Sequence, residues 1–316
     1  MMNPDVAPLC GILLLDKPLG LSSNAALQRV RFLLGRPKAG HTGSLDPLAT
    51  GMLPICVGEA TKLAGELLAG RKAYRFEMKL GERTDSADAE GQIIERLAVP
   101  RLDPVLIEAA LASQRGAQQQ VPPMYSALKR DGEPLYKLAR QGLSVDRAAR
   151  AIEIYALELL DFSADTLRCR VECSKGTYIR TLAEQIAARL GTCAHVIALR
   201  RDFVEPFAAE SMITLEALQA LHAEGTGAGE SGVARGAFAA LLLPADRAVG
   251  HLPAHYLTSA QARALVFGQT VLMAGPAADP VRLYDAAGQF MGLGAQQSGG
   301  VVRVKRLFVG QSVEPM

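Results

Sequence analysis

One glycine-rich segment of the chain gathers residue types that can do chemistry. Residues 41–51, with the sequence HTGSLDPLATG, contain one carboxylate, Asp46, and one imidazole, His41, among small and hydroxyl side chains. Loops this rich in glycine let a ligand approach the backbone closely. A carboxylate that meets a ligand there can attack it or take up a proton. By spacing alone, Asp46 followed by Pro47 is more typical of a turn cap, so both interpretations stay open.

The other combinations of reactive residues are weaker. Cys169 and Cys173 could be grouped with Cys193 and His195 as four ligands, but this spacing fits no standard zinc site. Cys169 and Cys173 share the apolar face of a predicted strand, where free cysteine is usually part of the core. The sequence contains no phosphate-binding loop, no Rossmann fingerprint and no G-x-S-x-G nucleophile elbow. We therefore expect no metal and no cofactor.

The elements that must position the 41–51 segment are strands and helices without regular crossover connections. Ile12–Leu15 predicts a buried strand, and Ala73–Leu80 alternates apolar and charged residues as a half-buried strand does. Strands are also predicted over Ala151–Leu160 and Asp165–Cys173, and helices after Ser22, from Thr61, after Asp103, after Gly176 and over Leu215–His222. Residues 224–236, EGTGAGESGVARG, predict a flexible surface loop. The pattern favours a mixed α+β sheet over a doubly wound parallel one.

A change of composition near Pro244–Gly250 marks the start of a second unit. After it, the pattern predicts one helix over Ser259–Phe267. Short strands with glycine turns are predicted over Val281–Tyr284, Phe290–Leu293 and Val301–Phe308. The sequence therefore predicts a small, mostly β module at the C-terminal end.

Composition and charge limit the class of protein. The 316 residues are 49% hydrophobic and 21% charged, with a net charge of +2, which is ordinary for a globular protein. No apolar run has membrane-spanning length, and the first residues do not resemble a signal peptide. Five cysteines in so long a chain indicate a reducing compartment rather than a disulfide framework. Two basic stretches, 71–83 and 129–150, are compatible with nucleic acid or with solvated faces.

Six segments, read together, resemble the bacterial tRNA pseudouridine-55 synthases. They occur in the family's order and cover roughly residues 11–200, which makes the resemblance strong, although the guide-RNA-dependent relatives share the motif around Asp46. The segments are Asp16-Lys-Pro-Leu-Gly-Leu-Ser22, the whole of 40–54 from Gly40 to Pro54, Lys72-Ala-Tyr-Arg75, Gly81-x-x-Thr84-Asp85-Ser86-x-Asp88, Val121-Pro-Pro-Met-Tyr-Ser-Ala-Leu-Lys129, and Gly176-Thr-Tyr-Ile-Arg180. Ser44 and Ser86 stand where alanine and threonine are frequent in the family.

The resemblance implies a fold and a reaction. The fold would be α+β, with a mixed, largely antiparallel central sheet flanked by helices, called the pseudouridine synthase fold. The reaction would detach uracil from C1′ of a uridine and rejoin it through C5, which needs no cofactor and no metal. Asp46 matches the family's essential aspartate, acting either at C1′ or on a ribose proton. Arg180 matches the arginine that pairs with that aspartate and favours its charged form.

The resemblance also assigns residues to substrate binding. Tyr74 would stack on the flipped base. Tyr178 and Leu199 would line the uracil pocket, and His41 would enter the RNA loop where the base has left. Lys17 would support the site. Without the resemblance, Tyr74 and Leu199 would be interpreted as ordinary core.

The resemblance further implies domains and partners. Residues 1–246 would form the catalytic domain, with an RNA-clamping insertion at about 121–150. Residues 249–316 would form a β-barrel-like RNA-binding module of the PUA type. The partner would be tRNA, bound through its T-stem-loop, with no membrane and no required protein partner. The protein would be a cytoplasmic monomer.

Two alternatives stay open at this stage. The chain could be a related synthase that acts on another RNA. It could also be an RNA-binding folding helper whose catalysis is dispensable, because the basic insertion and the C-terminal module need no reactive residue.

Overall fold

The computed structural model describes residues 8–130, 132–207, 210–226 and 231–308. A nine-stranded sheet forms its centre. The strands of this sheet are β1 (Gly11–Lys17), β2 (Ala39–His41), β3 (Ala49–Val57), β4 (Lys72–Leu80), β7 (Gly116–Gln120), β10 (Arg150–Phe162), β11 (Thr166–Cys173), β12 (Ala194–Val204) and β13 (Ile213–Thr214). Two small hairpins lie outside it: β5 (Glu82–Thr84) with β6 (Ile93–Arg96), and β8 (Lys129–Arg130) with β9 (Glu133–Pro134).

A second sheet of five strands occupies the C-terminal part. Its strands are β14 (Ala254–Tyr256), β15 (Val271–Leu272), β16 (Ala278–Tyr284), β17 (Phe290–Gln296) and β18 (Val301–Leu307), in the order β14-β16-β17-β18-β15. The helices are α1 (Ser23–Leu33), α2 (Ala64–Ala69), α3 (Pro104–Ala112), α4 (Leu135–Arg140), α5 (Ile179–Arg189), α6 (Leu215–Thr226), α7 (Ser231–Ala240) and α8 (Ser259–Val266), with 3-10 turns at Gly58–Leu63 and Ala245–Val249.

The central sheet is mixed and largely antiparallel, as the resemblance predicts. Its strands follow the order β13-β1-β3-β12-β4-β11-β10-β7, and β2 pairs with β3. The parallel contacts in this sheet are β1 with β13 and β12 with β3. The second parallel contact matters for the site, because it joins Leu199 to Ala49, three residues after Asp46.

The alternation of residues decides which sheet face is buried. On β4, the side chains of Tyr74, Phe76 and Met78 belong to the core, whereas Arg75 on the opposite face is exposed. The same core lies beneath α1, α3 and α5, whose buried residues recur at helical spacing. One face of the sheet is therefore apolar and covered by helices in this region, as the periodicity predicts.

Several local predictions are confirmed and several are wrong. The helices predicted after Ser22 and Asp103 are confirmed, and the side chains of these two residues cap α1 and α3. The predicted flexible loop at 224–236 is wrong in part, because α6 continues to Thr226 and residues from Ser231 onward form α7. The strand β12 was not predicted, because Arg200, Arg201 and Asp202 interrupt its apolar pattern. Within the described residues, no helix is both long and apolar enough to span a membrane.

Candidate active site

Asp46 lies in the loop between β2 and β3, and hydrogen bonds fix the backbone of this loop. The Ser23 hydroxyl at the start of α1 donates to the carbonyl of Leu45 at 3.0 Å and accepts from its N–H at 2.7 Å. Gly43 has φ +78°, a conformation that favours glycine. The Asp46 carbonyl accepts from Ala49 N–H at 3.0 Å, so the backbone makes the expected turn. The carboxylate itself lies beside Arg180.

The guanidinium of Arg180 joins four distant parts of the chain. Its Nε lies 3.0 Å from Asp46 Oδ2, and its Nη1 lies 3.3 Å from Asp88 Oδ2. Nη1 also donates to Ser86 O at 2.8 Å, and Nη2 donates to Tyr125 O at 2.6 Å. Only 5% of the Arg180 side chain is exposed. Arg180 therefore sits in the first turn of α5 as an internal ion, where two carboxylates balance its charge.

The ionisation of Asp46 reflects competing influences. Burial raises its pKa above the ordinary value, whereas the charge of Arg180 lowers it; Asp88 acts with burial, and Lys17 acts with Arg180. The carboxylate still keeps 39% exposure, because one side of it meets an open cavity. Asp46 is thus partly desolvated by protein, oriented by an arginine, and accessible to a ligand.

A cavity of about 560 Å³ opens next to Asp46. Five of the seven predicted site residues line it: Asp46, Tyr74, Tyr178, Arg180 and Leu199. This is enough room for a nucleoside base and sugar, and the wall combines aromatic and aliphatic side chains with four charged ones.

The two tyrosines are held by different elements. Tyr74 on β4 is buried and lies directly opposite Arg201 on β12. Burial raises the pKa of its phenol. Tyr178 precedes α5, and its N–H donates to the Gln120 side chain at 2.7 Å, which fixes the start of that helix against β7. Leu199 comes from β12, two residues before Arg201, on the same side of the strand.

The other two predicted residues, His41 and Lys17, are not among those that line the cavity. His41 ends β2, and its Nδ1 is buried without a hydrogen-bond partner among the described residues. Burial, followed by the charge of Arg201, lowers the pKa of its imidazole. Lys17 is fully buried, and its ammonium donates to Pro18 O and Leu21 O. Burial lowers the Lys17 pKa to about 8, although the charge of Asp46 opposes this shift.

Three residues at the site were not singled out from the sequence. Asp88 pairs with Arg180, and its signal was present, since it ends one of the six recognised segments. Lys72 and Arg201 also line the cavity. Lys72 belongs to another recognised segment, whereas Arg201 belongs to none and lies in the strand that the sequence did not predict.

The cysteine–histidine combination considered from the sequence is not assembled. Cys169 and Cys173 pack in the core, and His195 Nδ1 lies 3.0 Å from Glu82 O. Across the ranges that the structure describes, no three potential metal-ligating side chains come together. The described cysteines are all unpaired thiols.

Comparisons with known proteins agree with this geometry. Residues 31–179 match the family described as TruB family pseudouridylate synthase (N terminal domain). Residues 180–250 match the tRNA pseudouridylate synthase B C-terminal domain, and residues 253–308 match Pseudouridine synthase II TruB, C-terminal. Among solved structures, the fold resembles a chain of a Cbf5–Nop10–Gar1 complex with a TM-score of 0.73 and 25% identity, over 98% of this chain and 92% of that one.

Curated relatives extend over nearly the whole chain. A tRNA pseudouridine synthase B of Aromatoleum aromaticum is 49% identical over 94% of this chain and 92% of its own length. Another of Stutzerimonas stutzeri is 50% identical over 94% and 95%. The fold is thus that of the pseudouridine synthases. The chain belongs to the TruB family.

Proposed function

We propose that this protein isomerises uridine to pseudouridine in tRNA, at position 55 of the T loop. The observation that carries the proposal is the Asp46–Arg180 pair at 3.0 Å, at the edge of a cavity lined by Tyr74, Tyr178 and Leu199. The names of the relatives, tRNA pseudouridine synthase B, supply the substrate. A carboxylate with a positive partner and a base-sized aromatic cavity is what an exchange of a glycosidic bond requires.

In this proposal each residue has a distinct task. Ionised Asp46 adds to C1′ or takes a ribose proton, and Arg180 keeps it charged and oriented. Tyr74 stacks on the flipped uracil, while Tyr178 and Leu199 form the walls of its pocket. His41 fills the space that the base leaves in the RNA loop. Lys17 does not line the cavity, and its buried ammonium supports the site by favouring the charged form of Asp46.

The insertion and the C-terminal module would hold the tRNA. Exposed basic side chains in the insertion, among them Lys129, Lys137 and Arg140, suit contacts with phosphate, which position RNA without reading sequence. We assign residues 1–246 to catalysis, with an insertion at about 121–150, and 249–316 to a PUA-type module. We further propose a monomer that needs no protein partner and works in the cytoplasm, where free thiols such as those found here persist.

Release of tritium from tRNA transcripts labelled at C5 of uridine tests the activity. Wild-type protein should release one equivalent per tRNA, because C5 loses its hydrogen when it bonds to C1′. A T-stem minihelix should be a substrate, and a ribosomal RNA fragment should not. Conversion of the ribosomal fragment alone would instead identify a synthase for another RNA.

A second candidate function is assistance of tRNA folding without catalysis. It is favoured by the exposed basic side chains of the insertion, which can contact phosphate without any step at the Asp46 carboxylate. An Asp46→Asn protein should then still accelerate the folding of a misfolded tRNA. A variant that binds tRNA at low salt but leaves its folding rate unchanged would contradict this role.

A further inference from the structure

Arg201 is an internal cation that the assignments above do not use. Only 1% of the residue is exposed, and it is among the largest fully buried side chains described. Its Nε donates to Met52 O at 2.7 Å, and its Nη2 donates to Gly43 O at 2.9 Å. Both acceptors are neutral backbone carbonyls, so these bonds hold the guanidinium in place without neutralising it.

The surroundings of Arg201 differ from those of Arg180. Arg180 has two carboxylates within 3.3 Å. No carboxylate among the described residues lies within 4.0 Å of a nitrogen of Arg201. A desolvated ion without a counter-charge is costly to keep in a folded protein. Such an arrangement fits a site in which an anion is present only during the reaction, because a fixed charge then stabilises the transition state more than the resting state.

The position of Arg201 indicates where that anion would form. It lines the same cavity as Asp46 and lies directly opposite Tyr74 in the sheet. Gly43 has no side chain, and a Cβ there would lie 3.2 Å from Arg201 Nη1. The charge also acts on its neighbours: after burial, it is the second cause that lowers the pKa of His41, and it opposes the rise in the pKa of Tyr74 that burial causes.

The proposed reaction itself produces an anion in this cavity. When the C1′–N1 bond breaks, its electron pair leaves with uracil, which becomes an anion delocalised over N1 and its carbonyl oxygens. This holds whether Asp46 adds to C1′ or takes a ribose proton. C5 then bonds to C1′, the C5 proton leaves, and N1 gains a proton, so the sum is an isomerisation.

We propose that Arg201 is a catalytic residue that stabilises the detached uracil anion. The inference rests on the proposed function and names the group that receives the negative charge in it. Asp46, oriented by Arg180, acts on the sugar, whereas Arg201 stabilises the negative charge on the base. The two arginines are then not redundant, since one is neutralised before the substrate arrives and the other by the substrate itself.

The leaving group tests this role. Arg201→Gln and the matched control Arg200→Gln would be compared on tRNA with uridine and on tRNA with 5-fluorouridine at the target. Fluorine withdraws electrons and stabilises the uracil anion without help from the protein. Single-turnover loss of the target nucleoside, measured by nuclease digestion and mass spectrometry, gives both rates. We expect Arg201→Gln to be slowed roughly 10²-fold on uridine, and at least severalfold less on 5-fluorouridine. Arg200→Gln should match wild type on both.

The alternative is that Arg201 only anchors the loop through Gly43 O. An equal loss on both substrates would show this and overturn the proposal, as would an undiminished rate on uridine. Arg201→Lys keeps the charge and loses part of the anchor, so it should respond to fluorine as wild type does; a response like that of Arg201→Gln would also overturn it. This variant carries the test if Arg201→Gln does not fold. Absence of product with wild type would instead refute the proposed function.

Discussion

The two faces of the sheet around β12 carry arginine–carboxylate pairs that differ in geometry and in the burial of the arginine. On the outer face, Arg200 binds both oxygens of Asp16 at 3.0 and 2.9 Å, and Arg75 binds both oxygens of Asp202 at 2.7 and 2.8 Å. On the inner face, Arg180 meets Asp46 through Oδ2 at 3.0 Å. By geometry the outer pairs are the better ones, because each is bidentate.

The difference shows that an ion pair by itself does not identify a catalytic site. The outer pairs are partly solvated, so they stabilise the fold by only a few tenths of a kcal/mol to about 1 kcal/mol each. The inner arginines, Arg180 and Arg201, are desolvated, and Arg201 has no carboxylate partner among the described residues. Burial and incomplete neutralisation therefore distinguish the inner face, which carries the proposed site, and substitutions on the two faces should have very different effects.

The largest difference between the two faces is expected when Asp46 and Asp202 are each replaced by asparagine. Asp46→Asn keeps the shape of the side chain but removes the charge that acts on the sugar in the proposed mechanism. Its rate of tritium release should fall roughly 10⁴-fold or more, as when other essential catalytic groups are removed. Asp202→Asn, which weakens an outer pair, should keep the rate within about twofold. Comparable losses in the two variants would remove the distinction between the faces.

The next largest difference is expected in the unfolding free energy when Arg180 and Arg75 are replaced. Arg180→Gln leaves the buried Asp88 carboxylate without its positive partner, which should lower the free energy of unfolding by about 3–5 kcal/mol. Arg75→Gln should lower it by about 1 kcal/mol or less. Urea denaturation followed by circular dichroism measures both. Similar midpoints for the two variants would show that the inner pair is as solvated as the outer one.

A pH series should separate activity from stability at Asp46. Because burial raises the Asp46 pKa despite Arg180, the rate should fall on acidification as the carboxylate takes up a proton above the ordinary range for aspartate. Stability has the opposite sign. The folded state holds this proton more tightly than the unfolded state, so ionisation costs stability as pH rises.

Asp46→Asn provides the reference for this linkage. Wild type should lose unfolding free energy relative to the variant as pH rises from the unfolded pKa through the higher folded pKa. A wild-type advantage that grows with pH would mean that Arg180 outweighs burial and that the Asp46 pKa is lowered.

The smallest effect on activity is expected where Tyr125 of the insertion contacts Arg180. The Tyr125 hydroxyl lies 3.1 Å from Asp85 Oδ2, and the Tyr125 carbonyl accepts from Arg180. Tyr125→Phe removes one hydrogen bond, worth about 1 kcal/mol, so kcat/KM should fall roughly fivefold. Tyr136→Phe is the matched control, since that ring packs against Arg140 within the insertion. Equal kcat/KM values for the two variants would show that the Tyr125–Asp85 hydrogen bond does not affect the position of Arg180.

The sequence predicted which side chains of a strand point into the protein more reliably than it predicted which of them line a cavity. The alternation over Ala73–Leu80 placed Tyr74 inside and Arg75 outside, as the structure has them. That Tyr74 faces a cavity could not follow from periodicity, since core and pocket side chains have the same spacing. For Asp46 and Arg180, the resemblance supplied a pairing that local pattern could not, because 134 positions separate them in the sequence.

The burial of Arg201 could not be predicted from the sequence, for a related reason. A charged residue next to Arg200 is normally solvated, and two adjacent arginines followed by an aspartate hide the apolar pattern of β12. Its burial arises from the parallel contact of β12 with β3, which brings it beside Gly51. Such a contact between distant segments is a tertiary property that no local window contains.

The four segments that meet at the Arg180 guanidinium have a consequence for how the protein matures. Residues 46, 86–88, 125 and 180 come from four separate segments of the chain, so a ribosome must deliver all of them before the Arg180 guanidinium has its full set of partners. Until then, the aspartate is only part of a turn. Contacts of such sequence separation form slowly. A nascent chain therefore lacks the Asp46–Arg180 pair until residue 180 has been synthesised and has folded against the earlier segments.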